Sequence, residues 1–112
     1  MSRETLKQID ILRHELKALR YLLDNYHLGK LSPDTLPPRE DFQSKQGRII
    51  YDAILAAPSR DAASKAIAEL DLEDVDIESF LRLAGAHYYT YPALVRARAD
   101  AIRRGELKVE NA

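Results

Sequence analysis

The chain of 112 residues carries 17 Lys and Arg against 18 Asp and Glu, a formal charge of −1, so one small domain without a general electrostatic pull toward nucleic acid is expected. Its size allows about two thirds of the unfolded surface to be buried. With no cysteine, disulfide frameworks, thiolate zinc sites and iron–sulfur clusters are excluded, and a reducing compartment is the expected setting.

No apolar run approaches the about 18 residues that span a bilayer, and the charged start Met1-Ser2-Arg3-Glu4 lacks the pattern of a signal peptide. A soluble, cytoplasmic protein is expected. Ala and Leu, 31 residues together, outnumber Ile, Val and Thr, 14 together, a balance that favours helix over strand. The expected fold is all-α: a compact bundle of about five helices forming a single domain over 1–105, with a frayed tail over 106–112.

In chain order, Leu6, Ile9, Leu12, Leu16, Leu19, Leu23 and Tyr26 recur at spacings of three and four. They predict one helix over 2–28, with Ser2 as its cap and Gly29 as its left-handed stop. Leu6, Ile11, Leu22 and Leu28 widen the stripe beyond a two-residue seam, so packing on its own domain is preferred to a dimeric coiled coil. Pro33, Pro37 and Pro38 make 30–39 a connector, with Leu31 and Leu36 folded back on the core. A second helix is predicted from Asp41 or Ser44 to Ala57, with Phe42, Ile49, Ile50, Ala53 and Ile54 on its apolar side and Pro58 as its stop. Ser59 caps a third over 60–70, faced by Ala63, Ala66, Ile67 and Leu70. Six carboxylates between Glu69 and Glu78 form an acidic joint without Lys or Arg. Asp76 is placed to cap a fourth helix over 77–86, buried through Phe80, Leu81, Leu83 and Ala84. Thr90 and Pro92 open a fifth, 92–104, which Gly105 ends.

The three histidines, His14, His27 and His87, have no second His at one-turn spacing, so no metal site is expected. His14 and His27 read as surface residues on the first helix. The acidic joint lacks the central Gly and alternating register of a calcium loop and reads as a solvated turn, open to a basic partner. No phosphate-binding Gly-rich loop and no Gly-x-Ser-x-Gly elbow is present. The expectation is therefore a protein that is not an enzyme, with no catalytic, cofactor-binding or metal-ligating residues. The candidates for partner binding are Tyr88, Tyr89 and Tyr91, each with a large apolar body and a polar tip, together with Arg96, Arg103 and Arg104. Arg96, Arg98, Arg103, Arg104 and Lys108 face two carboxylates, Asp100 and Glu106, a weak signal for direct nucleic-acid binding, because the arginines spread around the helix. A protein-docking surface is the preferred reading.

One order of features is specific. Glu15-Leu16-Lys17-Ala18-Leu19-Arg20-Tyr21-Leu22-Leu23-Asp24-Asn25 leads to Leu36-Pro37-Pro38-Arg39-Glu40-Asp41-Phe42 and then to Gly47-Arg48-Ile49-Ile50-Tyr51-Asp52-Ala53-Ile54-Leu55. This resembles the N-terminal domain of the DnaB family of bacterial replicative helicases, over about residues 12–104. Gln46-Gly47 stand where that family commonly has a His, Tyr51 replaces its usual Phe, and the stretch between Ala57 and Ile77 is shorter. The resemblance implies a helical head that contributes to ring assembly and primase contact, with replicative helicase subunits or primase as protein partners and a homo-oligomer as a further possibility. The helicase-binding C-terminal domain of bacterial primase has a similar head and is the related alternative. No membrane partner is implied.

Overall fold

The order of elements follows from where the caps and stops fall. The computed structural model describes residues 4–29, 31, 36–82 and 91–110. A short strand β1 (Glu4–Lys7) runs into α1 (Gln8–Asn25), which tightens into a 3₁₀ turn over Tyr26–Leu28. Gly29 then takes the left-handed conformation, φ 68°, that closes the helix. A second 3₁₀ turn, Arg39–Asp41, precedes α2 (Lys45–Ala56), whose first turn is capped by Ser44 Oγ accepting from Gly47 N at 3.0 Å. Helix α3 (Arg60–Ala68) is capped by Ser59, which accepts from Ala62 N at 3.1 Å. The short α4 (Ile77–Arg82) is capped by Asp76, which accepts from Ser79 N at 3.1 Å. Helix α5 (Tyr91–Arg103) ends near Gly105, φ 73°, and leads into β2 (Leu107–Glu110).

The described residues are therefore mostly helical, in five α-helices. Helix α1 is the central rod, packed on α2 and α5 and reached by α3 and α4. Ala18, Leu19, Leu22 and Leu23 of α1 meet Phe42, Ile50 and Ile54 around α2, with Ile67, Phe80 and Val95 closing the same core. Leu31 and Leu36 pack against it from the connector. Tyr51 joins the apolar cluster by its ring, 5.1 Å from that of Phe42, and satisfies its hydroxyl by donating to the Pro37 carbonyl at 2.9 Å, as a buried tyrosine must. The Cα radius of gyration is 13.9 Å, near the about 13 Å of a compact chain of this size.

Four expectations are corrected. The first helix does not start at residue 2: Glu4–Lys7 is extended and pairs in parallel with β2, Leu6 opposite Val109. A parallel pair needs a long crossover, and here the crossover is the helical body. The expected tail likewise forms the second strand of this pair over Leu107–Glu110, with Leu107 7 % exposed. The apolar stripe of α1 is buried as expected at Ile11, Leu12, Leu19, Leu22 and Leu23, but Ile9 and Leu28 of the predicted face are 40 % and 59 % exposed, and the charged Glu15 is buried. In α3, Ala66 faces solvent instead of the core. Ser2, Pro33, Leu83, Ala84, His87 and Thr90 lie outside the described residues.

Candidate functional site

Tyr91 and Arg103 open and close α5, twelve residues or about 18 Å apart along a helix, so the candidate residues do not converge on one site. The Tyr91 ring lies 5.8 Å from that of His14, and Lys17 Nζ stands 5.3 Å from its centre, a cation–π arrangement. His14 is thus half-buried between helices and not the surface residue expected. His27 also turns inward, its Nε2 3.1 Å from the Ile54 carbonyl. Arg96 is half-buried on α5. Tyr88 and Tyr89 lie outside the described residues.

Arg103 and Arg104 are committed within the chain. Arg103 donates from Nη1 and Nη2 to Asp41 Oδ1, each at 3.0 Å, and from Nη2 to Asp100 at 2.7 Å. Arg104 donates to Glu106 at 3.0 Å. These bonds hold the Asp100 and Glu106 carboxyls below the usual carboxylate range and raise both guanidinium groups. Phosphate contacts by either arginine would have to displace these carboxylates, which weakens the counterion-release term that drives nucleic-acid binding. The two pairs differ in weight, because the Asp41 side chain is only 4 % exposed while that of Glu106 is 61 % exposed. Arg103→Ala leaves a buried carboxylate without its ion pair and is expected to lower the melting temperature by a few degrees. Arg104→Ala, removing an exposed pair, is expected to leave it within error; calorimetric melting of both variants checks the contrast.

A depression lies elsewhere, between the first turns of α1, the segment Gln43–Gln46 and the end of β2. Its volume is about 670 Å³, and Ile9, Ile11, Leu12 and Val109 supply its apolar surface. Lys7, Gln8, Gln43, Lys45, Gln46, Asp74 and Glu110 surround them, the apolar-plus-polar make-up common to binding clefts. One wall is fixed by Glu15, which is 3 % exposed and accepts from Gln43 N, from Ser44 N at 3.0 Å and from the Ser44 hydroxyl. Burial pushes the Glu15 carboxyl above its ordinary value, against these bonds and the charge of Arg48. A second tie comes from Gln46 Nε2, which donates to the Glu73 carbonyl at 2.9 Å and so holds the acidic joint to the same wall.

Sequence reasoning did not mark this cleft. Its one usable signal was the apolar–charged alternation Leu107-Lys108-Val109-Glu110, the period of a half-buried strand. The carboxylates of the acidic joint are exposed, and Asp76 and Glu78 serve Ser79 and Arg82 of their own helix. Among the described residues, no group of three His, Asp or Glu side chains could hold a metal ion. No helix among them is long and apolar enough to cross a membrane. Comparison with protein-family models, with curated proteins and with solved structures gives no significant match.

Proposed function

We propose that the chain is a non-catalytic protein-docking domain of the DNA replication machinery, similar in role to the helical head of replicative helicases that contributes to ring assembly and primase contact. The observation that carries this reading is the cleft at the start of α1, where Ile9 is 40 % exposed beside Ile11, Leu12 and Val109. An exposed apolar side chain inside a polar rim is the make-up of an interface anchor. The three segments that carry the family resemblance support it by lying against one another. Glu15 holds the turn after Phe42, and Phe42 packs on Tyr51. Direct DNA binding through α5 and the turn after it draws less support, since Asp41, Asp100 and Glu106 already engage Arg103 and Arg104.

Calorimetric titration of the chain against a replicative helicase, and separately against primase, tests the proposal. Saturable association with one of them is expected, and the one that binds tells a helicase-type head from a primase-type one. Ile9→Glu is expected to weaken binding about tenfold, which is about 1.4 kcal/mol, and to lower the melting temperature by no more than a few degrees, because the side chain is 40 % exposed. No association with either protein overturns the reading.

A further inference from the structure

Sheets most often contain about four to six strands, but among the described residues this one consists of β1 and β2 alone. The edge of β2 away from β1 therefore has no neighbouring strand, and no backbone group of the described loops and caps bonds to residues 107–110 there. Successive side chains of a strand point to opposite faces. Leu107, 7 % exposed, and the half-buried Val109 share one face with Leu6 of β1, which stands opposite Val109. Lys108 and Glu110 share the other with Thr5 and Lys7, and all four are exposed. Among the described residues, neither Lys108 nor Glu110 makes an ion pair.

We propose that the chain forms a twofold dimer through this edge, with β2 pairing antiparallel to β2 of a second copy in one continuous sheet of order β1-β2-β2-β1. The side-chain pattern selects a single register, in which Val109 stands opposite Val109 of the second copy. Lys108 then stands opposite Glu110 of the second copy, and Glu110 opposite its Lys108. On the apolar face a row Leu6, Val109, Val109, Leu6 crosses all four strands, its outer steps being the pairs already formed within each chain. On the water face Lys7 is already opposite Glu110, so the row reads Lys7, Glu110, Lys108, Thr5 and its charges alternate in sign. Opposite charges directly across a strand pair stabilise it, and like charges destabilise it.

The neighbouring registers fail. Sliding by one residue puts the apolar side chains of the two copies on opposite faces of the sheet. Sliding by two sets Lys108 opposite Lys108, or Glu110 opposite Glu110. A charged residue on a short edge strand ordinarily keeps strands apart, and here it does so in every register except the one that matches both charges. A twofold contact uses the same patch on both copies and closes on itself, so the pairing stops at two chains. The paired segment is four residues long, which makes the contact small and the dimer a weak one that exchanges with monomer. It is a contact of the chain with itself and stands whether or not another protein enters the cleft.

Sedimentation equilibrium of the full chain from about 10 μM to about 1 mM, the range of weak association, tests the proposal. A reversible monomer–dimer equilibrium is expected. Lys108→Glu alone, or Glu110→Lys alone, sets like charges opposite each other twice and is expected to weaken dimerisation about tenfold or more. An equimolar mixture of the two variants is expected to restore it, because every charge then meets its opposite. Amide hydrogen exchange of the parent chain gives a second readout that needs no variant to fold. Exchange within residues 107–110 is expected to slow as the concentration rises, while that of the exposed turn Asp71–Asp74 stays constant. The proposal is overturned by a chain that remains monomeric throughout, by single variants that dimerise as the parent does, by a mixture no better than its components, or by a dimer whose slowed amides lie outside β2.

Discussion

Glu15→Ala is expected to lower the melting temperature by about 10 °C or more. The carboxylate is 3 % exposed and answers three donors, Gln43 N, Ser44 N and the Ser44 hydroxyl. Its removal leaves two backbone N–H groups in a part-buried turn without acceptors, and each such group costs about 1–3 kcal/mol. A loss of about 3 kcal/mol corresponds to that shift in a domain of this size. Glu15→Gln is expected to cost less, since one carbonyl oxygen remains, but its amide NH₂ must face either Gln43 N or Ser44, donor against donor. Thermal melting of the three proteins orders them as parent, Gln, Ala. A Gln variant as stable as the parent would show that the charge-assisted bonds contribute nothing.

The same residue sets a sign for pH dependence. Burial raises the folded-state Glu15 pKa above its ordinary 4.5, so in the window between 4.5 and that raised value the folded state binds more protons than the unfolded one. The contribution to stability is then fully present below 4.5 and is lost as the pH rises through the folded-state value. Subtracting the urea stability of Glu15→Gln from that of the parent cancels the other carboxyl groups. The difference is expected to shrink with rising pH across the window, and one that grows instead would contradict the dominance of burial.

What the sequence made legible divides by range of interaction. Ser44, Ser59 and Asp76 act as caps and Gly29 and Gly105 as left-handed stops, because capping is decided within three or four residues. The core face of α2 was equally plain, from Ile50 and Ile54 at one-turn spacing. The strand pair was hidden because its halves are four residues long and lie at opposite ends of the described chain, while Leu6, three residues before Ile9, imitated another helical turn. The contacts that shape the candidate surfaces are likewise distant in sequence: Glu15 with Ser44, Arg103 with Asp41, His14 with Tyr91. A charged residue amid an apolar stripe reads as a surface position, so neither the buried Glu15 nor the buried Asp41 could be anticipated without its partner. Ile9 fitted the period of α1 and still faces water, since period alone does not say how wide a face the neighbouring helices cover.

Gly47→Ala is expected to destabilise the protein, although the same change inside an ordinary helix stabilises by about 1 kcal/mol. Gly47 is the third residue of α2, and a Cβ there would stand 2.6 Å from Ser44 Oγ and 3.0 Å from Glu15 Oε1. The Phe42 ring, at 3.6 Å, would be in normal contact. Ser44 Oγ cannot rotate aside without losing two bonds, the one it accepts from Gly47 N and the one it donates to Glu15. Loss of a serine cap alone costs about 1 kcal/mol, and the Glu15 bond, formed with a charged acceptor, is worth about 1.5–3 kcal/mol. Together they exceed the gain in helix propensity, and a fall of about 5–10 °C in melting temperature follows. Ser44→Ala provides the control by removing the obstructing hydroxyl. In that background Gly47→Ala is expected to cost less than half of what it costs alone, the non-additivity of residues that share one contact. If Gly47→Ala by itself raises the melting temperature, the close approach of Glu15, Ser44 and α2 is not as described, and the wall of the cleft built on it loses its anchor.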